Sequence, residues 1–182
     1  MSDLLIVSGP PGAGKSTVSA LLMSSFDRAA LVPGDAFFAF WTRGALLPWL
    51  PEADEQNRLV LRSAIAAAAT LAAGGCPVVY DGVLRPQILS ALAEEAGRHG
   101  LQVPGELHYA LLLPSLERCQ QQVAERSGHG FTDAAATAHM HADLTAGLAD
   151  LDERHVLADL PQEPSAVARL LMERYRSKRL RC

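Results

Sequence analysis

The chain has 182 residues, long enough for one domain with a sizeable core, and its 49% apolar and 20% charged residues are those of an ordinary globular protein. A formal net charge of −4 gives no case for nucleic-acid binding through overall charge, and no apolar run is unbroken enough to span a bilayer. Cys76, Cys119 and Cys182 are widely spaced and form no CxxC pair, which argues against a disulfide framework or a zinc site. With Asp3 and no basic leader at the N-terminus, they fit a protein of the reducing cytoplasm.

In chain order, Asp3 to Ser8 (DLLIVS) reads as a buried strand, followed by a Gly-rich turn and a helix from Lys15 to about Phe26. Ala30 to Pro33 is a second strand ending at Gly34-Asp35, and a loop or short helices rich in aromatics follow, to about Pro51. A long helix from about Glu52 to Ala73 stops at Gly74-Gly75. Pro77 to Tyr80 is a third strand, Pro86 to Arg98 a helix and Leu107 to Leu113 a fourth strand. Ser115 to Arg126 and Thr132 to Leu148 read as helices flanking a short Gly-rich loop. His155 to Leu160 is a weaker fifth strand, and Ser165 to about Arg179 a closing amphipathic helix. The basic tail (Arg174, Arg176, Lys178, Arg179, Arg181) reads as a solvated helix face with a frayed end.

Alternation of strands and helices predicts an α/β fold, a three-layer sandwich with a central parallel sheet of about five strands. Residues 1–182 then form a single domain. Ligands of such sheets bind at the carboxyl ends of the strands, so Gly9, Asp35, Asp81 and Pro114 are expected along one edge.

Gly9-Pro10-Pro11-Gly12-Ala13-Gly14-Lys15-Ser16 fits G-x-x-x-x-G-K-[ST] without a mismatch, between a strand and a helix as the motif requires. Glycines let backbone N–H groups turn inward as an anion nest, and the helix N-terminus adds partial positive charge. The expected contacts to ATP phosphates are Gly9, Gly12, Ala13, Gly14, Lys15, Ser16 and Thr17. Lys15 reaches the β- and γ-phosphates, and the Ser16 hydroxyl ligates Mg²⁺.

On this motif the chain resembles the small P-loop kinases of the nucleoside-monophosphate-kinase-like fold. These include adenylate, shikimate, gluconate and adenylylsulfate kinases, chloramphenicol phosphotransferase and zeta-toxin-type kinases. The resemblance covers nearly the whole chain. It implies that Asp35, after the second strand, is the base facing the acceptor hydroxyl, as in the chloramphenicol phosphotransferase pattern. Asp81-Gly82-Val83-Leu84-Arg85 repeats the spacing of the adenylate-kinase D-G-F-P-R, with Val and Leu replacing Phe and Pro. By that resemblance Asp81 holds Mg²⁺ through water and Arg85 touches the acceptor. Arg126 takes the place of the lid arginine on the transferring phosphate, with a lid over about residues 126–132. A second lid arginine is missing from its usual neighbourhood, and His129 or Arg118 is the candidate substitute.

The resemblance also places the acceptor under residues 36–62, where Phe37, Phe38, Phe40, Trp41 and Trp49 gather half of the chain's aromatics. Phe38, Trp41 and Arg43 are expected to touch it, beside Asp35, Asp81 and Arg85. Those rings line an apolar pocket or else pack the segment onto the domain, and the sequence leaves both open. Arg43 is the sole cation between Arg28 and Arg58, which favours an uncharged alcohol acceptor over a nucleoside monophosphate. His139-Met140-His141 puts its two imidazoles on different sides of a helix and gives no metal site.

The reading is an ATP- and Mg²⁺-dependent phosphotransferase acting on a hydroxyl of a small molecule, a monomer or homodimer with neither nucleic acid nor membrane as partner. A P-loop ATPase or nucleotide switch, and a nucleoside-monophosphate or polynucleotide kinase, stand as alternatives.

Overall fold

The computed structural model describes residues 3–103, 105–125 and 131–182. Five parallel strands form one sheet: β1 (Leu4–Ser8), β2 (Ala30–Pro33), β3 (Val78–Asp81), β4 (Leu107–Leu112) and β5 (Val156–Leu157), in the order β2-β3-β1-β4-β5. The helices are α1 (Lys15–Met23), α2 (Asp54–Ala73), α3 (Leu89–Arg98), α4 (Leu116–Ala124), α5 (Ala134–Ala146) and α6 (Pro164–Arg176). The expected three-layer α/β sandwich with a parallel sheet is present.

β1 shows why LLIVS is apolar at both parities. Leu4 and Ile6 face α2 and α3, while Leu5 and Val7 face α1 and α6. A strand buried on both faces needs a continuous apolar run rather than alternation. Ala64, Ala68, Ala69 and Ala72 of α2 are fully buried against the sheet, so the Ala-rich stretch is a helix face trimmed for close packing. Among the described residues no helix is long and apolar enough to cross a membrane.

Several expectations shift at element ends. The strand expected over His155 to Leu160 pairs only through Val156 and Leu157, because residues 153–155 form a 3-10 turn. The helix expected to reach Leu148 stops at Ala146 and tightens into a 3-10 turn over Gly147–Asp150.

The frayed C-terminus is corrected outright. Short β5 leaves the first half of β4 paired with β1 alone and uncovered on its other side, and buried backbone groups need partners. The chain turns back after α6, and its last residues supply them. Tyr109 N–H donates to the Leu180 carbonyl at 2.9 Å and Cys182 N–H to the Leu107 carbonyl at 3.0 Å, with Leu180 fully buried. Arg174 is likewise engaged, donating to the carbonyls of Arg154 and Val156 at 3.1 Å each.

Candidate functional site

Strand register assembles the site. Val7 of β1, Asp81 of β3, Pro33 of β2 and Ala110 of β4 lie in one row across the sheet. The phosphate loop leaves two residues beyond Val7, Asp35 stands two residues beyond Pro33, and Asp81 is itself in the row. The expected convergence at the carboxyl edge is therefore met for Gly9, Asp35 and Asp81.

The loop is held from below and behind. Ala13 N–H donates to the Pro10 carbonyl at 3.1 Å, and Lys15 Nζ donates to the same carbonyl at the same distance. Gly12 has φ +82°, and a Cβ there would lie 2.2 Å from the Cys119 carbonyl oxygen, so the loop packs directly on the backbone of α4. α1 starts at Lys15 with no side-chain cap and no acid in its first turn. A helix N-terminus of this kind, with its partial positive charge, favours an anion. Lys15 is buried, whereas Ser16 and Thr17 are exposed at the start of the helix.

The turn after β3 is anchored through groups that sequence reasoning did not single out. The Ser8 hydroxyl donates to the Leu84 carbonyl at 2.7 Å and accepts from Leu84 N–H at 2.9 Å. Tyr109 donates to the same carbonyl at 2.8 Å. Leu84 is fully buried, so it stands in the resembling pattern's Pro position as a core plug. The one available signal was a serine closing an otherwise apolar strand.

Tyr80, 1% exposed, also escaped notice. Its hydroxyl lies between the turns that carry Asp35 and Asp81: a Cβ on Gly34 would stand 2.2 Å from it and one on Gly82 2.7 Å. Burial, then the carboxylates of Asp35 and Asp81, push this phenol well up, so it keeps its proton at neutral pH. Glycine at both positions is what gives the ring its place.

Asp35 is exposed in a 3-10 turn over Gly34–Phe40, and Asp81 is buried at the strand end. Arg85 reaches α5 instead of the open edge, its guanidinium 3.6 Å from the Asp143 carboxylate with both partly exposed. Asp143 also neighbours His139 at 3.6 Å, while His141 Nε2 lies 2.9 Å from the Pro114 carbonyl. The two imidazoles thus meet different partners.

In the segment after Asp35, Phe37 packs on the core and on Phe40, their ring centres 5.2 Å apart, and Phe38 is half-buried. Trp49 meets Phe131 edge-to-face at 5.2 Å. Phe40, Trp41 and Arg43 are exposed. Gln56 of α2 brackets the segment, accepting from Leu46 N–H and donating to the Leu46 carbonyl at 2.8 Å each, and Asn57 donates to the Pro48 carbonyl at 2.7 Å. Of the two candidate second cations, Arg118 is committed to the carbonyls of Leu160 and Pro161, at 2.9 Å each. His129, like Arg126, lies outside the described residues.

A family model described as an AAA domain matches residues 4–151. No curated protein matches the sequence. Among solved structures the chain is similar to the tunicamycin resistance protein of Deinococcus radiodurans, with TM-score 0.67 and 13% identity over 96% of both chains. It is similar to a sugar kinase from Janibacter sp. HTCC2649, with TM-score 0.65 and 23% identity over 93% of this chain and 92% of the other. A third likeness is shikimate kinase from Acinetobacter baumannii, with TM-score 0.61 and 16% identity over 98% and 95%. At such identities these structures speak to the fold, which is that of the small P-loop kinases, and the length of the family match settles membership: the chain belongs to the AAA domain family.

Proposed function

We propose that this protein is a phosphotransferase that moves the γ-phosphate of ATP to a hydroxyl of a small molecule. The observation that carries the reading is the row Val7, Pro33, Asp81, which brings a phosphate loop and two acidic turns to one sheet edge. A loop alone binds a triphosphate, whereas a loop facing acids after two further strands has a place for an acceptor. Kinases among the similar folds support it.

In this reading, the loop N–H groups and Lys15 hold the triphosphate, and Arg126 neutralises charge on the transferring group. Asp35, exposed at its turn, takes the proton of the acceptor hydroxyl. The acceptor oxygen bonds to the γ-phosphorus, the bond from that phosphorus to the bridging oxygen breaks, and ADP leaves. Phe38, Trp41 and Arg43 border the acceptor. A hydroxyl at Ser16 and a carboxylate at Asp81 are the hard oxygen donors that Mg²⁺ takes, Asp81 acting through water. Bound by these two residues, the ion would supply positive charge to offset that of the triphosphate.

The test is ADP release from ATP and Mg²⁺ with pools of hydroxylated metabolites, sugars, antibiotics and nucleotides. Stimulation by one pool, lost about 10²- to 10³-fold in Lys15→Ala, is expected. Release that no pool enhances, yet which Lys15→Ala abolishes, would overturn the proposal in favour of an ATPase.

A further inference from the structure

Six of the eight exposed large apolar side chains among the described residues fall between positions 40 and 59: Phe40, Trp41, Leu46, Leu47, Leu50 and Leu59. Phe40 is 75% exposed and Leu47 53%. Single exposed leucines need no explanation, but a cluster this dense marks a contact surface. The aromatics after Asp35 thus divide: Phe37 and Trp49 are partly covered, while Phe40, though one edge meets Phe37, and Trp41 stay exposed.

The exposure is built rather than incidental. Gln56, 6% exposed, holds both backbone groups of Leu46, and Asn57 holds Pro48, so the backbone that carries these side chains is fixed on α2. At its far end Trp49 rests on Phe131, and at its near end the segment begins at Asp35. The segment that carries these apolar side chains therefore starts from the turn that holds Asp35. Residues 35–59 carry two arginines, Arg43 and Arg58, against four carboxylates, Asp35, Glu52, Asp54 and Glu55. Anionic molecules are repelled by that balance, and uncharged ones with apolar area to bury are not.

Resting on the phosphotransferase reading, we propose that the acceptor is an uncharged alcohol with an apolar body, which the exposed face of residues 40–59 covers while Asp35 meets the hydroxyl. Preorganisation by Gln56 lowers what ordering the segment around such a molecule would otherwise cost.

The experiment uses the full chain with ATP and Mg²⁺, and n-alkan-1-ols from ethanol to octanol as probe acceptors beside shikimate, gluconate and AMP. Alkyl phosphate formation is expected, with kcat/KM rising about two- to four-fold per methylene. The double variant F40S/L47S, at exposed positions, should flatten that rise while leaving Tm and the KM for ATP unchanged. A second arm needs no turnover: the neutral fluorophore N-phenyl-1-naphthylamine should bind the wild type and lose at least five-fold in affinity to F40S/L47S. Turnover of the anionic acceptors in preference to the alcohols overturns this proposal and leaves the phosphotransferase reading standing. Equal binding of the fluorophore to both proteins overturns it too, as does a wild-type dimer that F40S/L47S turns into a monomer, which would assign the face to a second copy. ADP release that neither set stimulates overturns the phosphotransferase reading and this proposal with it.

Discussion

The phosphate loop is mostly buried, shaped by glycines and pressed onto the backbone of α4, whereas the segment from Asp35 to α2 is largely exposed, apolar and bracketed by two amide side chains. On the proposed function, the difference follows from what each must recognise. A triphosphate offers the same oxygens in every protein that binds it, so backbone N–H groups in a fixed nest with one lysine and one hydroxyl suffice. An acceptor is recognised by its own shape and polarity, which only side chains can read. The first kind of site is written as a spacing of residues, and the second as a surface.

The widest break between the two regions is expected at Asp35. Asp35→Asn should lower acceptor-dependent turnover by about 10²- to 10⁴-fold while ATP affinity is unchanged. Equal turnover in wild type and variant, measured by ADP release at saturating ATP, would remove Asp35 from the proposed role.

Gly12→Ala tests the donor side. Its methyl group meets the Cys119 carbonyl at 2.2 Å in a backbone held at φ +82°, so repacking and strain together should destabilise the fold by about 2 kcal/mol or more. ATP affinity should fall in parallel. Urea unfolding and nucleotide titration read the two effects, and a variant with unchanged midpoint would show that loop and α4 are not rigidly packed.

A last effect belongs to neither region and so calibrates both. At the opposite end of the sheet, His108 is 1% exposed, its ring tilted against Tyr175 with centres 4.7 Å apart, and its Nε2 lies 3.5 Å from the Asp3 carboxylate. Tyr175 donates to the same carboxylate at 3.0 Å. Burial pulls the imidazole down to about 4, with Arg181 and His155 adding to the shift and Asp3 opposing it. Between pH 6.5 and 4 the unfolded chain accepts a proton that the folded chain refuses, so stability falls as pH falls. One such site contributes a slope of at most about 1.4 kcal/mol per pH unit. His155, shifted the same way by burial, steepens it. Midpoints at pH 7, 5.5 and 4.5 should show the decline, and His108→Asn should flatten part of it. An unchanged slope in that variant would refute the assignment.

The fold was legible because its central strands β1, β3 and β4 are buried on both faces and its helices on one. LLIVS reads as a strand buried on both faces, and GPPGAGKS between strand and helix fits the phosphate-loop pattern without a mismatch. Boundaries slipped where short-range hydrogen bonding decided them, as at His155, drawn into a 3-10 turn just before a two-residue strand. Within the site, Asp35 and Asp81 could be placed by counting from strand ends. Ser8, Tyr80 and Tyr109 could not, because a hydroxyl's partner is a matter of which atoms meet across the sheet.

By itself, then, the sequence determined the parallel sheet, the phosphate loop and the edge at which chemistry is proposed, since periodicity and motif spacing are local properties of the chain. Tertiary structure alone decided that the basic tail completes β4, that Arg118 clamps the loop after β5 and that the aromatics after Asp35 divide into packed and exposed sets. Each of those turns on whether a group finds a partner far away in sequence, and burial and hydrogen bonding are properties of neighbours in space.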